Sequence, residues 1–292
     1  MSVTTVAALP QQVSRFRLPL PAFLRRHNIS LWVGCVIVGG IVLAGIAAPL
    51  LTPHDPTAQS LMDAWAPAGN GHLLGTDQLG RDIWARLLYG ARTNLAIAAI
   101  AVVVPFLLGT LLGAIAGYFG GWIDAAIMRI ADVVVAFPFY VLIIALVFVL
   151  GNGPTSIFVA ISLVSWVAYC RIVRAETVIL KDRDFIAACK ASGLSHKRIL
   201  IRHVLPNTAT QAIVYGMSDI VMNIGVIVTL SYFGLGIVPP TPDWGQMMND
   251  GQQFIIAGQY SLILYPSIAV VLTSFGLALL GDGLARTLKV RR

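Results

Sequence analysis

The sequence predicts an all-α membrane protein with six transmembrane helices, and three observations predict it. Of 292 residues, 57% are hydrophobic and only 11% are charged, too few charges to cover the surface of a soluble domain. The apolar residues are gathered into uncharged runs long enough to cross a bilayer, which takes about 20 residues per helix. Lysine and arginine fall almost wholly between alternate runs, which gives the chain an orientation.

Residues 1–28 read as a mobile cytoplasmic tail. The first helix is expected over 29–53, where Ile29 to Pro53 carry no charge. That run is too long for the apolar core of a signal peptide, and no small-residue cleavage site clearly follows it. Residues 54–92 are expected as an extracytoplasmic loop. Within it, Ile83, Leu87 and Leu88 recur at helical spacing beside Arg81, Asp82 and Arg86, the pattern of a short amphipathic helix lying on the membrane surface. A core of five helices is expected over 93–282. Thr93 to Ile123 is the second span. Val133 to Cys170 holds two more, with Gly151-Asn152-Gly153-Pro154 as the turn between them. Thr208 to Pro242 is the fifth, broken only by Asp219, and Gly251 to Gly281 contains the sixth. Residues 283–292 form a basic cytoplasmic C-terminus.

One side of this arrangement holds Arg15, Arg17, Arg25 and Arg26, then Arg129. It also holds Arg171, Arg174, Lys181, Arg183, Lys190, Lys197, Arg198 and Arg202, and finally Arg286, Lys289, Arg291 and Arg292. The other side holds only Arg81, Arg86 and Arg92. Both termini are therefore expected in the cytoplasm. The net charge of +7 then belongs to residues that flank membrane helices and meet anionic lipid head groups, with no nucleic acid required.

A polar, basic island between two long apolar regions, Arg183 to Asn207, lies on the cytoplasmic side. Asp182 and Asp184 suit a first helical turn, and Lys190 suits a last one. Phe185, Ile186, Ala188 and Cys189 give this helix an apolar side. Gly193 supplies a left-handed C-cap. Ser195 is placed to cap a second helix with Ile199, Leu200 and Val204 as its stripe. Pro206 is expected to stop that helix and to bias Leu205 away from helical angles. The prediction is a helical hairpin outside the bilayer.

The pattern Ala187-Ala188-Cys189, then Gly193, then Leu205-Pro206 resembles the EAA loop of ABC-importer permeases, with matching spacing. Ala187 stands where that family has Glu, and Cys189 where it has the second Ala. A second stretch narrows the resemblance: Leu74-Gly75-Thr76-Asp77, Leu79-Gly80-Arg81-Asp82, Arg86-Leu87 and Tyr89-Gly90-Ala91-Arg92 are similar to the C-type permease of the dipeptide, oligopeptide and nickel branch. Leu230 to Gly236, Pro239 to Gly245 and Gly281-Asp282-Gly283 continue the likeness, with Tyr232 and Phe233 where the branch has Phe and Leu.

The resemblance implies a type I ABC-importer permease fold in the bacterial cytoplasmic membrane, forming half of a translocation path. It implies a homologous permease as heterodimer partner and two ABC ATPase chains that bind ATP and Mg. An extracytoplasmic solute-binding protein would deliver the substrate to the outer loop that runs to about Gln259. Ala187, Ala188, Cys189, Gly193, Leu194, Leu205 and Pro206 would then couple the chain to an ATPase groove.

The fifth helix carries Met217, Asp219, Met222 and Asn223. A charge in a span costs about 3 kcal/mol on insertion scales, so Asp219 should face protein or water. Two readings stay open. The carboxylate lines the path and meets a substrate's ammonium group, or it is a satisfied structural carboxyl. Asp132 reads as interfacial. Gly109, Gly113 and Gly117 recur every four residues, a spacing that lets helices approach closely. Pro105 and Pro138 mark expected kinks.

The chain contains neither Gly-Lys-Ser nor Gly-Lys-Thr, so no phosphate-binding loop of that type is present, and ATP hydrolysis falls to partners. No nucleophile constellation stands out. Cys35, Cys170 and Cys189 lack paired spacing, and His27, His54, His72, His196 and His203 are scattered, so no metal site is expected. A self-sufficient secondary transporter would show an internal repeat, and an intramembrane aspartyl enzyme would need a partner for Asp219. The substrate is expected to be a dipeptide or oligopeptide, with nickel or glutathione as alternatives on the same architecture.

Overall fold

The computed structural model describes residues 28–69 and 71–288. The tail expected over 1–28 lies outside the described residues except for Asn28, as do the last four residues of the basic C-terminus.

Helix α1 (Ile29–Ile46) is followed at once by a short α2 (Ala48–Leu51) with a proline in its first turn. The single helix expected over 29–53 is thus broken at Ala47. Helix α3 spans Ile83–Phe119. Its 37 residues make a rod of about 55 Å, well beyond the roughly 30 Å of a hydrocarbon core. Asp82 caps its start, its Oδ1 accepting from the Ala85 N–H at 2.6 Å. No breaker follows, and Pro105 sits inside α3 without ending it.

This corrects the expectation for 83–92. The segment is no separate helix on the membrane surface but the first turns of α3. Nor do Arg81 and Arg86 face solvent: Arg81 is 4% exposed and Arg86 only 1%. Both bind Asp77, and both reach Asp250 from a distant helix. A heptad-like spacing of apolar groups cannot tell a membrane surface from protein on the other side.

Gly120 and Gly121, both at positive φ, turn the chain into α4 (Gly121–Val135). Helix α5 (Phe139–Leu150) follows at a bend of 84°. Pro138 lies at the break, where its ring disfavours helical angles for Phe137. At 12 residues, α5 is about 18 Å long and cannot cross a bilayer by itself. Helix α6 (Pro154–Leu180) opens on a proline after two positive-φ glycines. The hairpin helix α7 (Asp184–Ala191) leads into α8 (His196–Tyr232), then α9 (Trp244–Gln252) and α10 (Ser261–Thr287). Helices α1, α3, α6, α8 and α10 are each long and apolar enough to span, and the bent pair α4–α5 counted as one makes six. Among the described residues there is no strand.

Helix α3 packs along α6 through the three glycines. A β-carbon at Gly109 would meet the Trp166 carbonyl, at Gly113 the Cys170 carbonyl, and at Gly117 the Arg174 carbonyl, each closer than 3.0 Å. The glycines are a packing seam between helices of one chain. Ala98, Ile143, Ile157, Ile161, Ile224 and Ile227, all fully buried, join α3, α5, α6 and α8 in the main core. Asn28 Nδ2 donates to the Gly283 carbonyl at 2.6 Å and to Thr287 Oγ1 at 2.8 Å. The start of α1 and the end of α10 therefore lie side by side, which requires an even number of crossings between them.

Candidate functional site

Two regions carry the residues singled out by sequence, and they sit at different levels of the molecule. The first is the hairpin between α6 and α8. Asp184 and Lys190 occupy the first and last turns of α7, as the macrodipole favours. Gly193 stands at φ +76°. Its N–H donates to the Lys190 carbonyl, and the Leu194 N–H reaches back to the Cys189 carbonyl at 3.2 Å, the paired bonds of a Schellman turn. A β-carbon on Gly193 would find nothing within 4 Å, so the demand for glycine is conformational, not steric. Ser195 Oγ accepts from the Arg198 N–H at 3.4 Å and opens α8.

Two details of the hairpin differ from the sequence reading. Of its expected apolar side only Ile186 is buried; Cys189 is half-buried, while Phe185 and Ala188 are exposed. Four apolar residues in an eight-residue helix are spread too widely to face one neighbour. Pro206 also does not end the second helix. Residues 200–204 form a π-type turn and the helix runs on to Tyr232, with Leu205 helical at φ −52°, ψ −47°. The widened turn draws the preceding carbonyls away from the proline ring, which would clash in a regular helix.

Ile186, Ile199, Leu200 and Val204 pack with Tyr118, Tyr169 and Val173, and the half-buried Leu194 and Leu205 join them. Tyr118 holds the hairpin from the end of α3: its hydroxyl lies 2.9 Å from His196 Nδ1, and Lys190 Nζ sits 5.7 Å from its ring centre. The face left open carries Phe185, Ala187, Ala188 and Gly193. Ala187 and Ala188 thus present a small-residue surface, Cys189 and Leu194 its edge, and Pro206 is exposed on the following turn.

The second region is a cleft of about 540 Å³ between the α4–α5 bend, α6 and α8, lined by Val134, Pro138, Arg171, Tyr215, Asp219 and Met222 among others. Asp219 and Met222 therefore reach it. Met217 instead packs into the main core, and the fully buried Asn223 does not line the cleft. Asp219 is 4% exposed, and one of its oxygens accepts from Tyr169 at 2.9 Å. Arg171, at the cleft, pairs with the exposed Asp132 at 2.8 Å. Sequence reading missed Tyr169, Arg171 and Tyr215. Tyr169 lies among apolar residues of α6 with no local signal of its partner 50 positions away.

At the other end of the molecule the outer loop between α2 and α3 is fastened to α9. Asp77, fully buried, accepts from Arg81 Nε at 2.6 Å and from Arg86 Nη1 at 2.5 Å, and Asp250 of α9 accepts from both arginines. Trp244 seals the same joint, its indole donating to the Leu87 carbonyl at 3.0 Å over Gly90. His54, His72 and Asp82 also meet here, although the sequence left the histidines scattered: they come from separate stretches with no motif spacing.

Residues 109–292 match the family model for the binding-protein-dependent transport system inner membrane component. The chain belongs to that family. Residues 24–68 match the N-terminal transmembrane domain of oligopeptide transport permease C. The chain is 36% identical over 261 residues to the dipeptide transport system permease protein DppC of Alkalihalophilus pseudofirmus, covering 89% of this chain and 85% of that one. It is 38% identical over 263 residues to the glutathione transport system permease protein GsiD of Pectobacterium atrosepticum, covering 90% and 86%. Among solved structures, a chain of the MetNI methionine ABC transporter in an inward-facing conformation superposes with a TM-score of 0.57 at 16% identity, covering 70% of this chain and 96% of that one. The fold is that of a type I ABC-importer permease, and the chain is a multi-pass inner-membrane permease subunit of the dipeptide and oligopeptide branch.

Proposed function

We propose that this permease subunit forms half of a path for dipeptides or oligopeptides, driven by ATP that other chains bind and hydrolyse. The observation that carries the reading is the hairpin. It packs one side on the ends of α3 and α6, is capped at the Gly193 turn and at Ser195, and leaves Ala187, Ala188 and Gly193 open on a face with no partner inside the described chain. Such a face suits a groove on an ABC ATPase, and two ATPases with bound ATP and Mg would serve this permease and a homologous second one. ATP-driven closure of the ATPases would move the hairpin, and α8 would carry that movement rigidly to Asp219, since the helix continues through Pro206. A solute-binding protein would dock on the opposite face, where the outer loop and α9 are locked together.

The cleft suits a peptide's amino terminus: Asp219 is the one carboxylate among its lining residues, and the Arg171 in the same wall is paired with Asp132. Glutathione is a second reading, favoured by the similarity to a permease named for it, and it too is a peptide with a free ammonium. A nickel complex is the remaining alternative. The test is co-purification in mild detergent followed by uptake. The complex should contain a second permease and two ATPases, and unlabelled dipeptides should compete with labelled dipeptide while nickel salts do not. A transport-competent homodimer, or competition by nickel alone, would overturn the proposal.

A further inference from the structure

The outer loop gathers two imidazoles and a carboxylate to which the transport reading gives no role. His54 lies just past α2, His72 in the middle of the loop, and Asp82 caps α3. One ligand atom from each lies within 4.8 Å of the other two. The two imidazole rings stack at 4.6 Å with 28° between their planes, and His72 Nδ1 is 2.8 Å from Asp82 Oδ2. We propose that His54, His72 and Asp82 form a binding site for a divalent transition-metal ion of the zinc class, resident in the outer loop and distinct from the membrane cleft.

The donor set fits that class. Two imidazoles with one carboxylate suit zinc, nickel or copper, whereas calcium and magnesium ask for oxygen donors throughout. The carboxylate is already fixed. Its side chain is 2% exposed, and Oδ1 is held by the Ala85 N–H at 2.6 Å, which leaves Oδ2 toward the histidines. His54 has a partner of the kind that orients a ligating imidazole, since its Nε2 donates to the Gly71 carbonyl at 2.9 Å. That bond makes Nδ1 the nitrogen with the free lone pair. A cleft of about 230 Å³ opens on the three residues, with Asp55 and Asp63 in its wall. It has room for an ion and a water molecule to complete four-fold coordination.

Ligand atoms on one tetrahedral ion, each at about 2.1 Å, stand about 3.4 Å apart, so the present maximum of 4.8 Å must close by about 1.4 Å. His54 is half-buried at the rim and can supply most of that by side-chain rotation. The physical effect follows from where the ligands come from. One ion would tie the exit of the first span, the middle of the loop and the start of α3 into one unit.

Cobalt is the probe, because four-coordinate Co2+ absorbs visibly where the hydrated ion hardly does. The full chain, purified with a tag free of histidine, should bind one equivalent of Co2+ with this absorption. Zn2+ should displace it and should raise the melting temperature of the wild type. His54→Ala and His72→Ala should each lose the absorption and the Zn2+-dependent stabilisation while still melting cooperatively without metal. Asp63→Asn, at the wall of the cleft, should keep both. A wild type with no cobalt absorption, or an absorption unchanged in both histidine variants, overturns the proposal.

Discussion

The hydroxyl of Tyr169 on α6 donates to Oδ2 of Asp219 on α8 at 2.9 Å, linking two spanning helices at the wall of the membrane cleft. The two roles open to Asp219 are thus not exclusive. The carboxyl has a structural partner, and its residue also lines the cleft.

Asp219→Asn keeps an oxygen to accept from Tyr169 and removes only the charge. Protein level in the membrane should stay normal, and uptake of a substrate with a free ammonium should fall at least tenfold, about 1.4 kcal/mol of binding. Tyr169→Phe should instead leave Asp219 without its donor and lower stability by about 1–3 kcal/mol. Uptake assays normalised to membrane protein separate the two effects. Unchanged uptake in Asp219→Asn would assign the residue to structure alone.

Gly193→Val places a β-branched residue at φ +76°, a strain of roughly 1–2 kcal/mol confined to the hairpin turn. Nothing in the bilayer is touched, so expression and topology should persist while uptake and substrate-stimulated ATPase activity are lost together. Gly193→Asn should be milder, because Asn enters the left-handed region more readily. Ala187→Glu adds a carboxylate at an exposed position of α7 and should be tolerated. If Gly193→Val retains substrate-stimulated ATPase activity, the hairpin is not the coupling element.

Gly113→Leu should break the α3–α6 seam, because even a β-carbon there would stand closer than 3.0 Å to the Cys170 carbonyl. The two backbones cannot stay at their present separation, so the variant should fail to accumulate or should melt far below the wild type. Gly39→Leu, on α1 with nothing within 4 Å of a β-carbon, is the matched control and should behave like the wild type in detergent melting.

Much of this molecule could be read in its residues because membrane helices announce themselves by uncharged length. The spans, the Gly193 turn, the Ser195 cap and the 109-113-117 seam are all local or periodic signals. What escaped was long-range. Arg81 and Arg86 read as solvated because only the fold brings Asp250, on a helix far along the chain, onto both and buries them with their near neighbour Asp77. The clustering of His54 with His72 and the Tyr169–Asp219 bond were hidden for the same reason. Pro206 misled for a different one: a π-type turn accommodates a proline that a regular helix would not, and no composition rule marks where such a turn forms.

Asp77→Ala should cost more than any substitution at the loop surface. It strips both Arg81 and Arg86 of a fully buried acceptor, and a buried guanidinium without its partner typically costs about 3–5 kcal/mol. The Asp77→Ala/Arg86→Ala pair should lose less than the sum of the single variants. Strict additivity in thermal unfolding would mean that the two residues do not act as a unit.

The most direct measurement is uptake into right-side-out membrane vesicles that contain this chain with its co-purifying subunits, with ATP inside and labelled dipeptide outside. Uptake should require hydrolysable ATP, persist when ionophores collapse the proton and sodium gradients, and vanish in Gly193→Val. Uptake that proceeds without ATP and stops with the ionophores would contradict an ATP-driven permease coupled through the hairpin.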